Sequence, residues 1–233
     1  MSGTLYGIGV GPGDPELLTV KAFRRLKEAH VIAYPKKQRG SKSYAQQIVE
    51  AYFSSAEKEM LGLVFPMTKN MDVLTEKWNE TAEAIWEQLS AGKDVAFVTE
   101  GDPLLYSTFI HLMNIMKERY PNVAIEIVPG VSSVNAAAAR LQIPLADGDE
   151  QVAIIPARDD YEAMKRALRD HDCVVFLKVA KVMEMMIRLL REQNLLQKAA
   201  VVTKVTSKEE IIWNIEQLEG VELEYLTLLV VRK

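Results

Sequence analysis

The chain contains 233 residues, of which 48% are hydrophobic and 26% are charged, and its formal net charge is −4. A chain of this length can bury one large or two modest cores without disulfides to staple them. The net negative charge argues against a broad nucleic-acid surface, and the lack of any apolar run of about 18 residues argues against a membrane span.

The first predicted elements form a strand-helix-strand unit. LeuTyrGlyIleGlyVal (5–10) predicts a short buried strand, and AspProGlu (14–16) predicts a helix start, because it supplies a cap, a first-turn proline and an early negative charge. We expect this helix to end near Glu28 and a strand to follow at 30–35. Such units are typical of parallel sheets.

The same alternation repeats further along the first half. A helix, a strand at 95–99, a turn at 100–103, a second helix and a strand at 123–128 are predicted in that order. Each helix should bury one face. The apolar residues at helical spacing are Trp78, Ala82, Ile85, Trp86 and Leu89 in the first helix, and Leu105, Phe109, Leu112 and Met116 in the second.

The second half begins at ProGlyValSerSer (129–133), where we place the boundary between an N-terminal domain, 1–130, and a C-terminal domain, 131–233. A helix rich in alanine follows, and strands then alternate with helices. The last apolar segments, 211–215 and 226–232, have no obvious helix between them, which predicts a hairpin-like finish. The expected fold class is therefore α/β, with two α/β domains, a mostly parallel N-terminal sheet and a mixed C-terminal sheet.

The first turn of the chain contains four glycines, Gly7, Gly9, Gly11 and Gly13, which suggests a ligand-binding loop. Their spacing matches neither the dinucleotide-binding pattern nor a P-loop. The acidic side chains at the helix start also disfavour a phosphate, so the loop suits close backbone approach to an uncharged or cationic ligand. A tight turn without a ligand is the alternative interpretation.

Two further turns, at 100–103 and 129–133, also follow predicted strands. Because ligands collect outside the carboxyl ends of parallel strands, we expect the three turns to converge on one site. Their convergence favours ligand binding over three unrelated structural turns.

Three segments resemble the marker segments of the tetrapyrrole methylases and occur in the same order: GlyValGlyProGlyAspProGluLeuLeuThr (9–19), GluGlyAspProLeuLeuTyrSer (100–107) and ValProGlyValSerSer (128–133). The segments TyrProLysLysGlnArgGlySerLys (34–42) and ValPheProMetThr (64–68) are similar to the branch that methylates C20 of precorrin-2 or cobalt-factor II. The resemblance spans nearly the whole chain. It implies S-adenosylmethionine folded into a cleft between two α/β domains, usually a homodimer, and no metal bound by the protein itself.

The resemblance also implies cofactor contacts, carried over position by position. Those in the three segments are Pro12, Gly101, Asp102, Leu105, Ser132 and Ser133. Those in the second half, matched by order and context, are Lys178, Val205 and Thr227. Val205 stands where the family more usually has alanine or glycine.

Methyl transfer from a sulfonium to carbon depends on positioning and electrostatics and needs no catalytic triad. A proton must leave the methylated carbon, so one weak base near the cofactor is expected. Tyr106 is the candidate catalytic residue, with a packed, hydrogen-bonded tyrosine as the alternative. For His111 we favour a packing role, and no histidine is spaced as a metal ligand.

A tetrapyrrole carries many carboxylates, so an acidic protein needs local cations to bind one. Basic residues cluster at 36–42, and an ordinary solvated loop is the alternative interpretation of this segment. The predicted substrate-binding residues are Lys36, Lys37, Arg39 and Lys42.

Two other functions are considered. One is methylation at a different position of the tetrapyrrole ring, or by a more distant relative acting on diphthine or RNA ribose; the other is a catalytically silent nucleotide-binding module. The branch-specific segments weigh against the first, and the presence of all three loops weighs against the second.

The compartment is predicted from two features. Cys173 is the single cysteine and lies in the apolar run CysValValPheLeu, which predicts a buried, reduced thiol. The N-terminal residues show no signal-peptide pattern. These two features predict a cytoplasmic protein. The resemblance implies a small tetrapyrrole and a second copy of the chain as partners, and the net charge and the lack of a long apolar run predict no nucleic acid and no membrane.

Overall fold

The computed structural model describes residues 2–36, 42–65, 68 and 70–233. They form two compact units, Met1–Ser132 and Ser133–Lys233, which we call unit 1 and unit 2. Each unit contains one five-stranded sheet in the part of the chain described. The predicted α/β fold with two sheets is confirmed, and the domain limits 1–130 and 131–233 stay a prediction.

Unit 1 has a parallel sheet with the strand order β3-β2-β4-β1-β5. Its elements are β1 Thr4–Gly9, α1 Val20–Glu28, β2 Val31–Lys36, α2 Tyr44–Val49, β3 Glu59–Val64, α3 Met71–Ser90, β4 Val95–Thr99, α4 Phe109–Arg119 and β5 Ala124–Val128.

Both faces of this sheet are buried, as expected for parallel strands covered by helices. On β4, Val95 and Phe97 pack into one apolar cluster with α3 and α4, whereas Ala96 and Val98 pack into the other with α1 and α2. The alternation follows from the two-residue period of a strand. It also explains why the strands are continuous apolar runs in the sequence.

The start of α1 differs from the prediction. The chain forms a short 3-10 turn at Pro15–Leu17, and α1 begins only after Thr19, whose hydroxyl accepts the N–H of Ala22 (3.1 Å). The Asp14 carboxylate accepts the N–H of Glu16 (2.9 Å), so Asp14 caps the 3-10 turn and not the helix. The physical reason is that Leu18 and Thr19 are extended, which separates the turn from the helix.

Unit 2 has a mixed sheet with the strand order β6-β7-β10-β8-β9. Strands β6 and β7 are parallel, β10 is antiparallel to both β7 and β8, and β9 is antiparallel to β8. Its elements are α5 Ser133–Leu141, β6 Val152–Pro156, α6 Tyr161–Asp170, β7 Cys173–Leu177, α7 Met183–Glu192, β8 Ala199–Thr203, β9 Ile211–Trp213 and β10 Thr227–Arg232.

The predicted hairpin between the last two apolar segments is wrong. β9 forms its hairpin with β8, while β10 lies between β7 and β8. Burial explains the difference: β10 is buried along almost its whole length and takes a central place, whereas Ile211 and Ile212 of β9 are exposed at the sheet edge.

The core of unit 2 lies between this sheet and helices α6 and α7. Cys173 is buried at the start of β7, as predicted, and burial raises the pKa of its thiol. Among the residues described, no helix combines the length and the apolar character that a membrane crossing requires.

Candidate active site

The strands of unit 1 all end at one edge of the sheet, which we call the carboxyl edge of unit 1. The chain leaves β2 toward β3 on one side and leaves β4 toward β5 on the other. Because β2 and β4 are neighbours, their connections diverge and form a topological switch point, where open α/β sheets bind ligands. The fold therefore places a binding position outside the ends of β2 and β4.

Three glycines bring the loops after β1, β4 and β5 into direct backbone contact at this edge. The N–H of Gly101 donates to the carbonyl of Gly11 (2.8 Å), and a Cβ added to Gly9 would lie 2.5 Å from the Gly101 oxygen and 2.6 Å from the Gly130 nitrogen. Real Cβ atoms do not approach so closely. We call Gly9, Gly101 and Gly130 the glycine junction, since a side chain at Gly9 or Gly130 would keep it from closing and Gly101 has a positive φ (62°).

Asp102 ties two of these loops together. Its Oδ1 accepts the N–H of Leu104 (2.9 Å), and its Oδ2 accepts the N–H of Gly130 (3.1 Å). A carboxylate has about four acceptor positions, so these two bonds leave capacity for a ligand donor. The predicted cofactor contact of Asp102 stays a prediction, and the structure adds a role in joining the loops.

The first loop does not present a bare helix N-terminus to a ligand. The Asp14 carboxylate already accepts the N–H of Glu16, and the Thr19 hydroxyl caps α1. A phosphate at this point would meet the Asp14 carboxylate. The loop is therefore suited to an uncharged or cationic ligand.

The other predicted residues of unit 1 lie along the same edge. Pro12 is buried, Leu105 is half-buried, and Ser132 is buried at the end of the unit. Tyr106 is 47% exposed, has a left-handed backbone (φ 54°), and lies in the loop before α4. Ser133 is the first residue of α5 in unit 2.

Two polar residues at this edge were missed by the sequence reasoning. Thr99 ends β4, and its Oγ1 lies 3.0 Å from Ser107 Oγ, which in turn accepts the N–H of Phe109 (3.1 Å). This contact closes the loop that carries Asp102 and Tyr106. Their positions in the sequence, a threonine at the end of a predicted strand and a serine just before a predicted helix, could have indicated this contact.

His111 is exposed in the first turn of α4, where it contacts α3. Its ring stacks on Trp78 with 4.3 Å between ring centroids and 7° between planes. This arrangement agrees with the packing role that we favoured.

The basic segment is described only in part. Lys36 ends β2 at the carboxyl edge; its Nζ lies 5.1 Å from the centroid of the Tyr34 ring, and its stem covers Gly62 of β3. Lys42 is exposed. The predicted substrate contacts Lys37 and Arg39 lie outside the described residues.

The predicted cofactor residues of unit 2 also gather at one edge of their sheet. Strands β7 and β8 run in the same direction, because both are antiparallel to β10, and they end where β10 begins. Lys178 follows β7 and is exposed, Val205 follows β8 and is 4% exposed, and Thr227 begins β10 and is 2% exposed. We call this the carboxyl edge of unit 2.

Three side chains at this second edge form a chain of hydrogen bonds in which the donor of each bond is determined. Thr227 donates its only hydroxyl proton to the carbonyl of Glu224 (2.6 Å), so Thr203 must donate to Thr227 (2.8 Å). The indole N–H of Trp213 donates to Thr203 (2.8 Å). Thr203 and Trp213 were missed by the sequence reasoning, because their partnership depends on how β8, β9 and β10 pair.

Within the described ranges, no group of three or more histidine, cysteine or acidic side chains could hold a metal ion.

Comparison with known proteins identifies the family. The model of the Tetrapyrrole (Corrin/Porphyrin) Methylases matches residues 4–219. The chain belongs to this family. Among its relatives, the probable cobalt-precorrin-2 C(20)-methyltransferase of Methanocaldococcus jannaschii is 34% identical over 98% of this chain and 96% of that protein. The precorrin-2 C(20)-methyltransferase of a Sinorhizobium species is 32% identical over 98% and 95%, respectively.

A solved structure of another family member has the same fold. The X-ray structure of cobalt precorrin-4 methyltransferase, a cobalamin biosynthetic enzyme, superposes with a TM-score of 0.75. The two sequences are 26% identical, and the match covers 98% of this chain and 94% of the solved one. The marker segments that form the glycine junction thus belong to a tetrapyrrole methylase.

Proposed function

We propose that this tetrapyrrole methylase uses S-adenosylmethionine to methylate C20 of precorrin-2 or cobalt-factor II in cobalamin biosynthesis. The observation that carries the proposal is the junction of the three marker loops at the carboxyl edge of unit 1. The two relatives named for C20 methylation, each matched over nearly its full length, support the ring position. We also propose a homodimer in the cytoplasm, as the family resemblance implies.

The proposed chemistry gives the chain three tasks. S-adenosylmethionine supplies a methyl group on a sulfonium, together with its own leaving group. The loops joined by Asp102 hold the cofactor, and the cations near Lys36 hold the substrate carboxylates. We propose that the exposed Tyr106 hydroxyl relays to water the proton that leaves the methylated carbon, accepting that proton on its oxygen as its own proton passes to solvent.

The proposal is tested by product mass. Purified protein is incubated with S-adenosylmethionine and precorrin-2, with and without cobalt in the macrocycle, and the product is analysed by mass spectrometry and NMR. A gain of one methyl group at C20 is the expected result. Methylation at another carbon would overturn the ring position, and no methylation of either substrate would overturn the proposed function.

Tyr106→Phe is expected to lower kcat by about 100-fold, within the usual range for loss of a general acid–base group. Its affinity for S-adenosylhomocysteine should stay within about twofold, since a group that acts on the substrate contributes to the chemical step. Tyr120→Phe is the matched control, because Tyr120 stacks on Trp86 at the far end of α4. A wild-type kcat for Tyr106→Phe would make Tyr106 a packing residue.

Reversing Lys36 and Lys37 to Glu is expected to raise the KM for the tetrapyrrole by about tenfold or more. Each exposed ion pair contributes only about 0 to 1 kcal/mol, but the double change removes two attractions and adds two repulsions. Added salt should raise the wild-type KM, because exposed charges are screened. Steady-state kinetics at low and high salt measure both effects.

A control with the same change in net charge is Lys27→Glu with Lys117→Glu. Both lysines are exposed in the last turns of α1 and α4. Each of these helices connects two parallel strands and therefore runs antiparallel to them. Their last turns lie at the edge of the sheet opposite to the carboxyl edge of unit 1. Equal KM values for the two double variants, with a flat salt response, would show that the basic segment is an ordinary surface.

A further inference from the structure

The loop after β8 contains two residues in a backbone conformation that their side chains disfavour. Lys204 has a φ of 47° and Thr206 a φ of 67°. For a β-branched residue such as threonine this is a true outlier, and each such residue costs about 1–3 kcal/mol. Val205 lies between them and is buried. The loop 204–206 is therefore strained, and other contacts must hold it.

An ion pair holds the strained loop at Thr206. The N–H of Thr206 donates to Glu210 Oε2 (2.7 Å), and the same carboxylate receives the Arg140 guanidinium through Nε (3.0 Å to each oxygen) and Nη2 (2.5 Å). The Glu210 side chain is 11% exposed. The Arg140 guanidinium lowers the pKa of Glu210 below its usual value, helped by the Thr206 N–H and opposed by burial. We call Arg140 and Glu210 the loop clamp.

Lys204 is held from the other side of the loop. Its backbone N–H donates to the carbonyl of Leu226 (2.9 Å), and its ammonium pairs with Glu209 (2.5 Å) and Glu224 (2.7 Å). Together with the loop clamp, these contacts fix the conformation of residues 204–206 from both sides. A strained conformation persists only under such conditions.

The strain is concentrated at the carboxyl edge of unit 2. Among the described residues, the backbone is left-handed at six non-glycine positions, and three of them, Lys178, Lys204 and Thr206, lie at this edge. Lys178 directly follows β7, and Lys204 directly follows β8. Strained residues cluster at ligand sites, where they preorganise contacts. The location points to a ligand-binding role for the loop.

We propose that Arg140 and Glu210 are positioning residues that keep the loop 204–206 in its ligand-binding conformation. This inference rests on the proposed function and on the predicted cofactor contact of Val205. Without the loop clamp, Thr206 relaxes to an ordinary negative φ, and only a fraction of the molecules keeps the competent loop. The apparent Kd for the cofactor is then the intrinsic Kd divided by that fraction, so it rises.

The test is a pair of substitutions and their combination. Glu210→Ala is expected to raise the Kd for S-adenosylhomocysteine about tenfold by titration calorimetry. Thr206→Gly alone should change it less than about twofold. The double variant should recover to within about threefold of wild type, because glycine adopts a positive φ without cost. Only a role in holding the strained φ predicts this recovery.

The control is Glu219→Ala, which removes an exposed ion pair with Arg191 (3.2 Å) in the same unit and should leave the Kd unchanged. Arg140→Gln keeps the Thr206–Glu210 hydrogen bond and gives a second measurement if Glu210→Ala does not fold. We expect it to raise the Kd about threefold, again reversed by Thr206→Gly.

The outcomes separate the two proposals. If the wild-type protein binds S-adenosylhomocysteine and Glu210→Ala or Arg140→Gln binds it equally well, the loop clamp has no positioning role. A weakened Kd that Thr206→Gly fails to recover would also overturn the inference, because the loss would then come from another cause. If the wild-type protein does not bind S-adenosylhomocysteine, the proposed function fails first and the inference fails with it.

Discussion

Replacing Gly130 with alanine is expected to abolish S-adenosylhomocysteine binding and to destabilise unit 1 by about 4 kcal/mol or more, the exceptional range for one substitution. The added Cβ would lie 2.2 Å from the Gly101 oxygen and 2.7 Å from the Gly9 carbonyl carbon. Both are backbone atoms: Gly9 ends β1, and Gly101 lies two residues after β4 and donates its N–H to the carbonyl of Gly11 (2.8 Å), so moving either one disturbs the loops. The glycine junction must open, and the marker loops must separate.

The control for this substitution is Gly148→Ala in unit 2. Gly148 has a positive φ (54°), and a Cβ added there would have no atom within 4 Å. Its cost is therefore only the left-handed conformation, about 1–2 kcal/mol, with no effect on binding. Urea unfolding and calorimetric titration compare the two variants. A Gly130→Ala protein that unfolds at the wild-type urea concentration and binds normally would show that the loops do not need this contact.

Replacing Asp102 with alanine is expected to weaken S-adenosylhomocysteine binding by about 10- to 100-fold. The change leaves the part-buried N–H of Gly130 without its carboxylate acceptor, and losing a hydrogen bond to a charged group costs about 1.5–3 kcal/mol, where 1.4 kcal/mol is tenfold in affinity. The second and third loops also lose their link. Titration calorimetry measures the affinity, and urea unfolding shows how much stability is lost with it.

Asp102→Asn and Asp72→Ala complete this experiment. An asparagine keeps one acceptor oxygen, so it satisfies Leu104 or Gly130 but points its amide N–H₂ at the other, and an intermediate loss is expected. Asp72 is an exposed acid in the first turn of α3, and its replacement should leave binding unchanged. Wild-type affinity of the Asp102→Ala variant would show that Asp102 does not take part in binding S-adenosylhomocysteine.

The parts of the fold that the sequence predicts are those with strong local signals. The runs that became β1 and β4 are apolar on both faces, the run that became β5 is apolar except for Glu126, and each is followed by a glycine turn. The parallel order then brings the turns to one edge. What the sequence could not show is that Gly9, Gly101 and Gly130 mainly contact each other, because that depends on the register of three strands.

The errors and omissions have physical reasons of the same kind. The short helix α2 and strand β3 were not predicted, since neither has a long periodic pattern. β10 was placed beside β9, although its burial gives it the centre of the sheet. Arg140 and Glu210 are 70 positions apart, and no local pattern links an arginine at the end of α5 to a strained loop after β8.

The three tryptophans give each unit its own fluorescent reporter. Trp78 and Trp86 belong to unit 1, where they stack on His111 and Tyr120, while Trp213 is the tryptophan of unit 2 and donates its indole N–H to Thr203. A variant with phenylalanine at 78 and 86 emits from unit 2 alone. Its urea titration, set beside the circular dichroism of the whole chain, reveals whether the units melt as one cooperative body or in two steps.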